Sequence, residues 1–231
     1  MPPPSVALSH VSVGPRVTPT GGGSEYPFST ASIELRKATL GDSKMIIVLT
    51  GPTGSGKTDT SWALLELAPP MVFLDCDWFA ARAPFSWKSR NDVESVFQAV
   101  SVMLDYHTNC AASRFVVPLT LEMAESYSGN RQYLERFRLP LFHFRLACSA
   151  KVLRERVVKG DRNPVQRSWE LDVISSQLRS CDALPDMFVP IDVSEMMDER
   201  EVARKILSIV HASDQVAQQA LAAHAPQATR R

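Results

Sequence analysis

The 231-residue chain predicts an α/β fold built on a parallel sheet. Three observations carry that reading. The apolar, β-branched run Met45–Thr50 breaks into Gly51-Pro52-Thr53-Gly54-Ser55-Gly56-Lys57-Thr58, which fits the phosphate-loop pattern G-x-x-x-x-G-K-[ST] without a mismatch. Beyond it, short apolar runs alternate with stretches of helical period, the pattern of a sheet wound with crossover helices. The second apolar run, Met71 to Leu74, ends in Asp75-Cys76-Asp77. Ligands of open parallel sheets bind at the carboxyl ends of strands.

The region before Met45 differs from the rest. Residues 1–44 are rich in Pro, Gly, Ser and Thr, with Pro2-Pro3-Pro4 and Gly21-Gly22-Gly23, and their apolar residues keep no period. They read as a disordered extension. An organelle transit peptide and a natural start at Met45 are the alternatives; the apolar core of a secretory signal is lacking. Residues 45–212 form the expected domain, and 213–231 an Ala/Gln-rich tail that either extends the last helix or frays.

Each residue of the phosphate loop has a physical task. Gly51, Gly54 and Gly56 permit backbone angles that a Cβ forbids, so that successive N–H groups, with Pro52, Thr53 and Ser55 between them, converge on a phosphate. Lys57 reaches the outer phosphates of a nucleotide, and Thr58 offers a hydroxyl to Mg²⁺. The helix from about Lys57 to Leu67 directs its positive end at the same anion.

Pro69-Pro70 breaks that helix. Residues two apart on an extended chain point to one side, so Asp75 and Asp77 are both expected to face the cleft. Asp75 is the candidate on the Mg²⁺ side and Asp77 the candidate base for an attacking hydroxyl; the plainer alternative is a turn or a helix cap. Residues 78–91 are irregular and hold aromatic and basic side chains that suit either substrate or surface. A helix follows from Asp92 to His107, with Val93, Val96, Phe97, Val100 and Leu104 on one face and Asn91 or Asp92 as cap.

The strand Phe115–Thr120 lacks the terminal Asp that commonly serves Mg²⁺, which leaves Asp75, with Glu122 as the weaker candidate. Thr120 touches substrate or caps the next helix. Helical spacing resumes near Asn130 to Phe137, then comes the strand Leu141–Leu146, whose His143 and Arg145 are expected to face away from the core. Ser149 caps the helix from Ala150 to Val158. A basic, Gly/Pro-broken loop, Lys159 to Trp169, has the character of a lid. Its Arg162 and Arg167, ahead of Arg154 and Arg156, are candidates to neutralise transition-state charge, against the alternative of a solvated basic face. A helix to about Cys181, the strand Phe188–Asp192 and a helix from Glu199 to His211 complete the pattern.

Composition sets limits. Twenty-five basic residues balance 25 acidic ones, which argues against a nucleic-acid-binding surface. Four widely spaced cysteines, none in a Cys-x-x-Cys pair, suggest neither zinc nor disulfides but reduced thiols in the cytoplasm. No apolar run reaches the roughly 20 residues that span a bilayer. Oligomeric state is not readable.

In its phosphate loop, its Asp-x-Asp-like strand end and its Arg lid the chain resembles the small P-loop kinases, among them shikimate, gluconate and adenylylsulfate kinases. That resemblance implies a three-layer P-loop NTPase sandwich with five parallel strands ordered 2-3-1-4-5. From about Met45 to Ala183 the chain resembles more closely the tunicamycin-resistance ATP-binding protein family. The shared features are Met45-Ile46-Ile47 before the loop, Val117-Pro118-Leu119-Thr120, His143-Phe144-Arg145-Leu146 with Cys148-Ser149, Leu153 to Arg156, Ser168-Trp169, Gln177 and Cys181. The chain departs from that family in its long N-terminal extension, in Asp75-Cys76-Asp77 and in a shorter C-terminal region. The expected activity is transfer of phosphate from ATP, with Mg²⁺, to a hydroxyl of a small molecule, with a resistance role toward a tunicamycin-type nucleoside antibiotic implied by the resemblance. The alternative is an ATP-binding protein that sequesters a small molecule without modifying it.

Overall fold

A computed structural model describes residues 44–84, 86, 88–160, 163–193 and 198–223. Residues 1–43 of the expected extension, the lid residue Arg162 and the end of the tail lie outside them. Five strands, β1 (Met45–Thr50), β2 (Val72–Phe73), β3 (Arg114–Pro118), β4 (Leu141–Ala147) and β5 (Val189–Asp192), form one sheet in the order β2-β3-β1-β4-β5. Its pairs are parallel. This is the 2-3-1-4-5 order the resemblance implies.

β1 lies at the centre, and all six of its residues are buried. A strand covered on both faces reads as a continuous apolar run, and its alternation divides it between two cores. Met45, Ile47 and Leu49 pack with Ala63 and Leu64 of α1 (Lys57–Leu67) and with Val202, Ile206 and Val210 of the C-terminal helix. Ile46 and Val48 pack with Val93, Val96, Phe97, Val100 and Leu104. Those five are the helical face read from the sequence.

Between the strands run α2 (Cys76–Ala80), α3 (Arg90–Asn109), the short helices α4 (Leu121–Glu125), α5 (Tyr127–Asn130) and α6 (Gln132–Glu135), then α7 (Ala150–Lys159), α8 (Pro164–Asp182) and α9 (Glu199–Ala223). Some boundaries differ from expectation for local reasons. α3 starts two residues early because Ser89, not Asn91 or Asp92, caps it: the Asp92 N–H donates to Ser89 Oγ at 3.3 Å. Asp92 instead holds the Arg82 guanidinium at 2.7 Å. α8 begins at Pro164, where a proline fits the first helical turn, and the Asn163 side chain accepts the Gln166 N–H at 2.9 Å. Arg167, Ser168 and Trp169 therefore belong to a helix and not to a loop. α9 continues through Ala223, past the expected domain end at residue 212, on an Ala/Gln-rich stretch of good helix formers.

His143 does not face away from the core. Its ring packs edge-on against Tyr127 and Phe188, 5.1 and 5.5 Å between centroids, and its Nε2 lies 2.9 Å from the Tyr127 hydroxyl. Burial, with Arg131 nearby, lowers its pKa to about 4. Arg145 likewise turns inward, donating to the Cys181 carbonyl at 2.6 Å. Thr120 caps α4 by accepting the Met123 N–H at 3.3 Å. Among the described residues no helix is long and apolar enough to cross a membrane.

Candidate active site

The loop between β1 and α1 closes around two glycines. A Cβ on Gly51 would lie 2.8 Å from Ser55 Oγ and 3.1 Å from the Leu146 carbonyl. No larger residue fits between the loop and β4. Gly56 caps α1 at φ 93°, ψ 23°, in the left-handed region, and no side chain caps the helix. The first intrahelical bond goes from the Thr60 N–H to the Gly56 carbonyl at 2.8 Å. Helix geometry therefore leaves the amides of Lys57, Thr58 and Asp59 for a ligand.

Lys57 folds back over the loop. Its Nζ donates to the carbonyls of Gly51 at 2.8 Å and Pro52 at 3.3 Å. Burial lowers its pKa, while the carboxylates of Asp77, Glu122 and Asp75 act in the opposite sense. Asp75 at the cap of α2, Asp77 within α2 and Glu122 of α4 thus all bear on the ammonium. Thr58 is exposed at the start of α1 and lines the same cavity.

The two aspartates do not follow an extended chain. Asp75 ends in a helix cap: its Oδ1 accepts the N–H of Asp77 at 3.0 Å. Asp77 is the second residue of α2, in its first turn. Asp77 is exposed and lines the cavity, whereas Asp75 is half-buried and outside its wall. Burial raises the pKa of Asp75, against the lowering effect of the Asp77 N–H. The expectation that both carboxylates face the cleft thus holds for Asp77 alone, and the capping alternative describes Asp75.

A cavity of about 570 Å³ joins these groups. Thr53 to Thr60 line it together with Asp77, with Arg156, Gly160, Gln166 and Glu170, and with Val193, Glu199 and Val202. Among the described residues, Arg156 is the arginine that lines this cavity. Its Nη1 donates to the Ser55 carbonyl at 3.2 Å and its Nη2 to the Val193 carbonyl at 3.3 Å. Nothing in the sequence ranked it above Arg167, because its partners lie 101 and 37 residues away. Arg167 lies outside the cavity wall; its Nη2 reaches the Gly160 carbonyl at 3.4 Å.

Among the described residues, no three His, Cys, Asp or Glu side chains gather into a metal cage. Thr58 with one carboxylate nonetheless fits Mg²⁺, which keeps several waters and takes its remaining ligands from substrate phosphates.

No protein-family model matches the chain, and no curated protein matches it by sequence. Solved structures do match its fold. A tunicamycin resistance protein from Deinococcus radiodurans aligns at TM-score 0.52 and 21% identity, covering 72% of this chain and 95% of the other. A gluconokinase from Sinorhizobium meliloti aligns at TM-score 0.52 and 21% identity over 76% and 97% of the two chains. A shikimate kinase from Bacteroides thetaiotaomicron aligns at 0.52 and 14% identity over 73% and 99%. The chain shares with these structures the P-loop kinase fold, a five-stranded parallel sheet ordered 2-3-1-4-5.

Proposed function

We propose that this chain is an ATP-dependent phosphotransferase acting on a hydroxyl of a small molecule. One observation carries the reading: the uncapped start of α1, the Lys57 ammonium and the Asp77 carboxylate bound one cavity. In the reaction the acceptor oxygen forms a bond to the γ-phosphorus while its proton passes to Asp77. The bond from that phosphorus to the bridging oxygen breaks, and ADP leaves with the electron pair. Catalysis of this transfer is mostly positioning and charge stabilisation. Lys57 and the residues Gly51 to Thr58 hold the phosphates. Thr58 and Asp75 would hold Mg²⁺, which would supply charge neutralisation. Arg167, and Arg162 beyond the described residues, remain the candidates for the lid charge, and Arg156 joins them from the cavity wall.

The fold neighbours support a small, hydroxyl-bearing acceptor, and the tunicamycin resistance protein among them makes a tunicamycin-type nucleoside antibiotic the first to try. Use of ATP and four free thiols suit a cytoplasmic setting. The test is incubation with MgATP and a panel of hydroxyl compounds that includes tunicamycin, sugars and sugar acids, with mass spectrometry of the products. A phosphate adduct on one acceptor, with matching ADP release, is expected. Tight binding of an acceptor with no adduct and no ADP would instead favour a sequestering protein.

A further inference from the structure

One face of α8 runs along the phosphate loop. Gln166, Glu170, Ile174, Gln177 and Cys181 recur on it at helical spacing. Gln166 and Glu170 line the cavity, and Ile174 is buried in the core beneath. Farther along, Gln177 reaches the loop itself: the Thr53 N–H donates to its Oε1 at 2.7 Å, across 124 residues of sequence.

This bond lies at the crest of the loop. The Ser55 N–H closes a turn onto the Pro52 carbonyl at 3.1 Å, so Thr53 projects between them. α7 also approaches the crest. A Cβ on Gly54 would meet Val157 Cγ2 of α7 at 3.1 Å, and Arg156, also of α7, takes the Ser55 carbonyl at 3.2 Å. The crest is thus gripped by a donor from α7 and an acceptor from α8.

We infer that Gln177 is a positioning residue for nucleotide binding. By taking the Thr53 N–H it fixes the crest on α8 and leaves the amides at the start of α1 directed at the phosphates. The inference rests on the nucleotide reading above. An amide oxygen suits the place chemically. A carboxylate would accept the same bond but bring negative charge beside the phosphate site, and a Ser or Thr hydroxyl would fall short.

The test compares the full chain with Gln177→Met, which keeps length without an acceptor, and Gln177→Glu, which keeps the acceptor and adds charge. Hydrogen exchange of the Thr53 amide is measured without nucleotide, and MgATP affinity by calorimetry. In Gln177→Met, exchange at Thr53 should quicken about fivefold to tenfold, the scale of one net hydrogen bond. MgATP affinity should fall by a similar factor, with little change in Tm. Gln177→Glu should keep Thr53 protected and still weaken MgATP binding. Unchanged Thr53 exchange and affinity in Gln177→Met overturns the assignment. Should Gln177→Met not fold, loss of Thr53 protection in Gln177→Glu overturns it instead. If the unaltered chain binds no MgATP, the nucleotide reading fails, while Thr53 exchange still decides whether Gln177 holds the loop.

Discussion

Two turns on the same rim of the sheet solve one problem in opposite ways. Each leads from a strand into a helix, and each must deal with the helix's first amides, which have no intrahelical partner. After β2, the chain satisfies its own need: the Asp75 carboxylate takes the Asp77 N–H. After β1, Gly56 turns the backbone through the left-handed region and supplies no side chain. Helices α3, α4, α7 and α8 follow the first pattern, starting on Ser89, Thr120, Ser149 and Asn163. The α1 turn gives its amides no side-chain partner; on the proposed reading a phosphate takes that place and Lys57 is its cation.

If that contrast is right, the β1 turn should matter to ligand far more than to folding. Lys57→Ala is expected to lower turnover by about 10³-fold or more, the scale of losing a preorganised charge donor, with the melting temperature nearly kept. Turnover and ATP affinity equal to those of the unaltered chain would end the comparison. Asp77→Asn comes next. Asp77 is exposed and takes no part in capping through its side chain, so its loss should not unfold α2. A base contributes about 10²–10⁴-fold, so kcat should fall by that much with ATP affinity nearly intact. A variant with wild-type kcat would move the base assignment to Glu122, whose carboxylate also acts on Lys57.

The two turns also differ in how far the sequence disclosed them. The loop after β1 was legible because its glycines occur at fixed spacing and each is required by a backbone angle or a close approach. The turn after β2 was not, since α2 has five residues, too few for a helical period to register. Taken as extended chain, Asp75-Cys76-Asp77 puts both carboxylates on the cleft side; the short helix leaves only Asp77 there. Sheet order came from resemblance and held, since burial of every β1 residue forces a central strand. Arg156 ranked behind Arg162 and Arg167, and Gln177 carried no role beyond the resemblance, for another reason. Each acts through a bond to backbone more than 100 residues away, and backbone carries no residue type to read. His143 looked polar and outward because alternation in β4 is imperfect, yet Tyr127 and Phe188 enclose it.

That enclosed histidine gives a smaller prediction, far from either turn. Its folded pKa is about 4, below the ordinary 6.5. The unfolded chain therefore binds a proton first as pH falls. The stability associated with neutral His143 is complete above about pH 6.5 and is lost as pH falls from 6.5 toward 4. Arg131 strengthens the depression and Glu135 opposes it. Tm measured from pH 7.5 to 4 should decline less steeply in His143→Gln, which keeps a hydrogen-bonding group for Tyr127 but does not titrate in this range. Parallel curves would mean that His143 is charged in the fold.

The smallest effect belongs to Asp75, where the two turns can be told apart within one residue. Asn caps a helix about as well as Asp, so Asp75→Asn preserves the bond to the Asp77 N–H and removes only the charge. Burial raises the carboxyl pKa of Asp75 above the ordinary 3.8, so the fold favours its protonated form. A raised pKa contributes stability that is complete below 3.8 and is lost as pH rises through the folded value. At pH 7 the ionised carboxylate is therefore a small liability, and Asp75→Asn should melt slightly higher. The difference should close as the pH is brought below about 3.8. A lower Tm at pH 7 would mean that the charge itself makes a stabilising contact beyond the cap. Activity across a Mg²⁺ titration then separates the remaining roles. If Asp75 also serves the metal side, the more stable variant should need more Mg²⁺ to reach half its maximal rate. An unchanged Mg²⁺ requirement would leave Asp75 a helix cap alone and pass the metal-side role to Thr58 and the other two acids around Lys57.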